Sequence, residues 1–149
     1  MKTLFNTNDT NEIIERLNTL THSSPRQWGK MDVAQMLAHS THALWMASGE
    51  INPPRSFIGK LIGGFIKPIY SNEKPFDKNC PTDPHIKITD QHDFEKEKTA
   101  LFTAITKFHS GGKEKASTHP HPFFGKLTAD EWGTGMYKHL DHHFRQFGA

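Results

Sequence analysis

Apolar residues recur along most of this chain at intervals of three and four, the spacing that lets one face of a helix be buried. Ile13, Ile14, Leu17 and Leu20 follow the polar run Asn8-Asp9-Thr10-Asn11, so a first helix is predicted over residues 9–20, ended by Ser23-Ser24-Pro25. From Met31 onward, Val33, Met36, Leu37, Ala43, Leu44 and Ala47 mark a second amphipathic helix, closed by Ser48-Gly49 as a glycine cap closes a helix. Over residues 90–109 the pattern returns with Phe94, Leu101, Phe102, Ile105 and Phe108 apolar and Glu95-Lys96-Glu97-Lys98 solvated. Ser110-Gly111-Gly112 stops it. Thr128-Ala129-Asp130-Glu131 then has the form of a capping box and opens a fourth helix that reaches about Phe147.

Two stretches interrupt this order. Residues 52–84 hold Pro53, Pro54, Pro68 and Pro75 together with Gly59, Gly63 and Gly64, and are predicted to be a long crossover containing one short, broken helix over residues 57–70. Residues 113–126 are basic and proline-interrupted, a turn-like connection. No segment alternates with the period of two that strands require. The expected fold is therefore all-α: a four-helix bundle in one domain, residues 1–149, with the second and fourth helices free to face each other.

Composition narrows the partners. Hydrophobic residues make up 34% and charged residues 23%, which predicts a small core under a wet surface. Lys and Arg number 18 against 16 Asp and Glu, and a net charge of +2 is too small to draw a polyanion, so no nucleic acid is expected. Cys80, the single cysteine, rules out an intramolecular disulfide and reads as a loop thiol. The first residues, Met1-Lys2-Thr3-Leu4-Phe5-Asn6, lack the apolar run of a secretory signal, and a cytoplasmic location is expected. The most apolar stretch, 57–70, falls short of the ~20 residues of a membrane span. Covering the bundle or making a dimer contact suits it better than resting on a membrane.

Histidine is the compositional outlier, with 11 against two tyrosines and three tryptophans, and it is the commonest metal ligand. At about 100° per residue, Met136, Leu140, Phe144 and Phe147 define the inward face of the fourth helix, with His139 and His143 at its edge, one turn apart, and His142 turned away. On the second helix His39 sits beside Met36, Ala43 and Met46, while His42 lies about 60° closer to solvent. Three neutral nitrogens on two helices suit zinc or another late first-row ion such as nickel and leave positions for water. His42 or His142 could add a fourth ligand if the helices are rotated, and His119 or His121 could approach from the loop before the fourth helix. Gln35, one turn before His39, is a candidate to steady a ligand, although a polar residue at such an edge also suits plain solvation.

The motifs also carry a resemblance. Trp28-Gly29-Lys30-Met31 with Gln35-Met36-Leu37-Ala38-His39, then His121-Pro122-Phe123-Phe124-Gly125-Lys126-Leu127-Thr128 with Trp132, then His139-Leu140-Asp141-His142-His143-Phe144-Arg145-Gln146-Phe147, together resemble an uncharacterised branch of the DinB-like superfamily. The resemblance spans most of the chain. It implies a four-helix bundle, often a homodimer, in which one histidine of the second helix and an HxxxH pair of the fourth hold a divalent metal, matching His39, His139 and His143. It also implies that Gln146, three residues after the last ligand, steadies a ligand or a bound water. The implied activity is that of a metal-dependent enzyme on a small-molecule substrate. That enzyme would be a transferase using a low-molecular-weight thiol as cosubstrate, or a hydrolase if water takes the open position. The competing expectation is a non-catalytic bundle that holds metal or ligand for a structural or regulatory purpose.

Overall fold

A short polar side chain stands at the start of every α-helix and accepts a backbone N–H from its first turn. Asn6 caps α1 (Thr7–Thr19), Asp32 caps α2 (Val33–Ala47), Ser56 caps α3 (Phe57–Ser71), Asp93 caps α4 (Phe94–Gly111) and Thr128 caps α5 (Ala129–Gln146). These ranges come from a computed structural model, which describes residues 1–80 and 84–149. Two single-turn 3-10 segments, Pro84–Ile86 and Lys113–Lys115, complete an all-helical chain with no strand among the described residues. Residues 81–83 of the expected crossover lie outside them.

Cap chemistry explains where the helix ends differ from those expected. Asn6 Oδ1 takes the N–H groups of both Asn8 and Asp9, which starts α1 before Asp9. Asp93, not Asp90, receives the Lys96 N–H and starts α4. The capping box of Thr128 and Glu131 is formed, and a second one joins Asp32 to Gln35. Gly49 follows α2 with φ +75°, the left-handed conformation that glycine adopts without strain.

The largest departure from expectation is α3. Instead of a short, broken piece it runs for 15 residues through Gly63, Gly64 and Pro68. Its glycines are contact positions rather than breaks. A Cβ at Gly59 would lie 2.6 Å from the Phe123 Cα and one at Gly63 only 1.9 Å from the Phe123 carbonyl oxygen, so α3 presses a side-chain-free face onto the backbone of residues 122–124. Ser56 N–H to the Pro122 carbonyl (2.9 Å) and Arg55 to the Gly59 carbonyl (2.7 Å) pin the start of the helix there. Tyr70, near its other end, lies flat where α5 has Gly135, whose Cβ would come within 2.0 Å of the ring.

Leucines and isoleucines from the periodic stripes form the centre: Ile13, Leu17, Met36, Leu37, Leu101, Ile105, Leu140 and Phe144 are solvent-free. α2 packs on both α4 and α5, α1 touches the same two helices, and α3 rests on α5. Phe102, expected on the apolar face of α4, is 44% exposed because it lies one residue, about 100°, away from Leu101. No helix among the described residues is long and apolar enough to cross a membrane.

The seating of α3 gives two substitutions opposite signs. Gly63→Ala forces a methyl into the Phe123 carbonyl and should lower the urea midpoint. Gly64→Ala meets nothing within 4 Å and should raise stability by about 0.5–1 kcal/mol, the gain from alanine in a helix interior. Equal effects of both would mean that α3 does not dock as described.

Candidate metal centre

A buried imidazole that donates from one ring nitrogen keeps its lone pair on the other, and two of the three rings here have such a fixed acceptor. On α2, His39 is 3% exposed and its Nδ1 lies 2.8 Å from the Ile86 carbonyl. A carbonyl only accepts, so Nδ1 carries the proton and Nε2 the lone pair. On α5, His143 Nδ1 lies 2.9 Å from Gln146 Oε1. The orientation of that amide is set at its other end, where Gln146 Nε2 donates to the Trp28 carbonyl at 2.7 Å. Oε1 must therefore accept from His143, whose Nε2 is likewise left with its lone pair.

His139 completes the group. It stands one turn before His143, with its Nε2 3.0 Å from that of His39. Ring centroids are 4.9 Å apart for His39 and His139, 4.7 Å for His39 and His143, and 4.6 Å for His139 and His143. One ligand nitrogen from each ring lies within 4.8 Å of the other two. A tetrahedral ion with Zn–N bonds of about 2.1 Å needs nitrogens roughly 3.3 Å apart, so small rotations of the rings would seat one. His139 Nδ1 is shielded from solvent and has no hydrogen-bond partner among the described residues, which makes it the least constrained of the three rings.

Electrostatics keeps the rings in ligating form. Burial, helped by the neighbouring imidazoles, holds His139 and His143 well below the ordinary value of 6.5, so both are neutral at neutral pH. With its Nδ1 unpartnered among the described residues, His139 can hold its proton on Nε2 and donate it to His39 Nε2, or turn that nitrogen's lone pair toward an ion.

The surroundings sort the remaining candidates. Gln146, 3% exposed, bonds the His143 ring of the group. Gln35 does not: its oxygen accepts the Asp32 N–H (3.0 Å) and its nitrogen donates to the Asp90 carbonyl (3.0 Å), so the capping box takes it out of reach. His42 packs on Trp45 and His142 stands between Trp28 and Phe76, at ring distances of 5.6 and 6.0 Å. Burial lowers the pKa of both. His121 Nδ1 accepts the N–H groups of Phe123 and Phe124 and thereby shapes the loop that receives α3, and the His119 N–H is held by Ser117. Trp132 is a core anchor that donates to the Ser117 carbonyl.

Sequence reasoning missed the Ile86 carbonyl and the Trp28 carbonyl, because backbone acceptors leave no side-chain signature. A trace of the second exists in Gly29. Its φ is +83° and a Cβ there would sit 2.4 Å from Gln146 Nε2, so the Trp28-Gly29 turn requires glycine for the glutamine to reach Trp28.

The purified chain, loaded with zinc or nickel and dialysed, should retain about one equivalent by elemental analysis, and His39→Ala, His139→Ala and His143→Ala should each lose it. Gln146→Ala should weaken metal affinity by about 10–100-fold and Gln35→Ala should leave it unchanged. Acid adds a separate signature in the metal-free protein. The unfolded chain takes up protons at the ordinary histidine value while the buried rings do not, so their contribution is whole above about pH 6.5 and is lost as pH falls below it. Urea midpoints of the wild type should therefore drop more steeply on acidification than those of the His139→Gln/His143→Gln double variant.

No curated protein matches this chain, and no solved structure does. A family model described as protein of unknown function (DUF1569) matches residues 2–149. With nearly every residue inside that match, the chain belongs to the DUF1569 family.

Proposed function

We propose that this protein is a metal-dependent enzyme acting on a small molecule, with His39, His139 and His143 holding one divalent ion, zinc or nickel, and at least one position on that ion left for substrate. The observation that carries the reading is the convergence of three imidazoles from two helices, with the Nδ1 atoms of two of them turned onto fixed acceptors. Structural zinc sites are usually closed by four protein ligands, whereas three ligands and an open position are the catalytic pattern. All-nitrogen donors favour late first-row ions over magnesium or calcium. When bound, the ion supplies Lewis acidity, which lowers the pKa of a thiol or water in the open position.

The chain's own residues would supply orientation and exclusion of water. Ile86 and Gln146 hold two ligand rings in one tautomer, so neither ring has to move its proton when an ion arrives. Trp28, Phe76 and His142 give the neighbourhood an aromatic wall, with the ammonium groups of Lys78 and Lys138 4.8 and 4.4 Å from the Trp28 and Phe76 ring centres. Such a border suits a small substrate with an apolar part. α1, α2, α4 and α5 are read as a four-helix bundle with α3 as the additional helix of the long crossover. The motif resemblance to the DinB-like superfamily supports both this architecture and a transferase that uses a low-molecular-weight thiol, with hydrolysis as the competing reaction.

Metal-loaded full-length protein, incubated with an alkylating electrophile and a panel of cellular thiols, should consume thiol in a metal-dependent manner, and His143→Ala should fall to the uncatalysed rate. Loss of electrophile without thiol would replace the transferase reading with a hydrolase. No metal-dependent turnover of either kind, in protein that retains its ion, would leave a non-catalytic metal-binding protein.

A further inference from the structure

Helix α3 is amphipathic the wrong way round for a helix that only covers a core. Its buried side is Gly59, Gly63 and Tyr70, while Phe57 (74%), Ile58 (59%), Leu61 (61%), Ile62 (45%), Phe65 (87%) and Ile69 (55%) are exposed. At 3.6 residues per turn these six side chains fall within an arc of roughly 140°, one continuous face. Large aromatic and aliphatic side chains at such exposures present on the order of 700 Å² to water, above the largest apolar patch of a typical monomer, about 300–600 Å². Elsewhere among the described residues, exposed large apolar side chains stand singly, at Met1 and Phe102.

We propose that this face is the interface between two copies of the chain, formed by α3 packing against α3 of a second molecule about a two-fold axis. Area is the first argument. A standard stable interface buries roughly 800 Å² on each partner, and this patch alone supplies nearly all of it. Charge is the second. The six face positions carry no ionisable group, and α3 contains no Asp or Glu, so a two-fold operation brings apolar side chains onto apolar side chains without burying like charges together. Lys60 and Lys67 lie on the flank, outside the arc.

An anionic lipid surface fits less well. Interfacial helices pair their apolar face with a strongly basic one. Here Lys67 is held by Glu131 at 2.9 Å and donates to the Lys126 carbonyl at 2.8 Å, and the whole chain carries only +2.

Light scattering coupled to size exclusion, on the full chain across a range of concentrations, should give twice the 17.0 kDa of the monomer. Leu61→Glu/Phe65→Glu should give the monomer mass with helical circular dichroism and bound metal unchanged, since neither side chain contributes to the core. A second variant, Phe65→Cys/Cys80→Ser, places one thiol near the two-fold axis and should form a covalent dimer on mild oxidation. A wild-type protein that is monomeric throughout, or a dimer insensitive to both glutamates, overturns the proposal. So does a monomer that floats with phosphatidylglycerol vesicles and stays behind once Leu61 and Phe65 are glutamates, which would assign the face to lipid.

Discussion

An imidazole has one lone pair to offer, and the nitrogen that offers it is decided by what the other nitrogen donates to. Contacts between distant segments settle that choice at two of three rings. The Ile86 carbonyl is delivered by the 3-10 turn at the end of the crossover, and the Gln146 amide is turned by a carbonyl of the loop before α2. The helices bring the histidines near each other. The loops decide which way they face.

Much of this was readable from residue order alone. The stripes through α1, α2, α4 and α5 are ordinary core-facing patterns, and burial of Ile13, Leu37, Leu101 and Leu140 follows directly from them. Selection of His39, His139 and His143 over their neighbours came from the same geometry, because 100° per residue separates His143 from His142 whatever the tertiary structure. What stayed hidden depends on contacts between distant segments. Gln35, on a helix edge one turn before His39, looks placed to steady a ligand, but it sits at the third position after Asp32, where a capping box claims its side chain. Gly63 and Pro68 carry the local signs of a broken helix. The backbone of residues 122–124 needs a surface without Cβ atoms, and that need cannot be seen in the helix's own sequence.

That contact also explains the unusual polarity of α3. A helix that rests on glycines has little apolar surface to bury on its inner side, so its large residues are left for the outer one. The loop of residues 121–125 is held open for it by His121, whose Nδ1 takes two successive backbone N–H groups. A histidine that looked like a possible ligand is instead the template of a turn, with its Nδ1 accepting where those of His39 and His143 donate.

His39 and His139 stand 100 positions apart, while His139 and His143 are neighbours on one helix. In the proposed metal site, a single turn of α5 would therefore be enough to make a two-pronged chelate, available as soon as that segment coils. The third prong would come only when the first third of the molecule has docked. An ion captured early would wait in a half-built seat and then tie the two ends of the sequence together, a removable cross-link whose closing step is the arrival of α2.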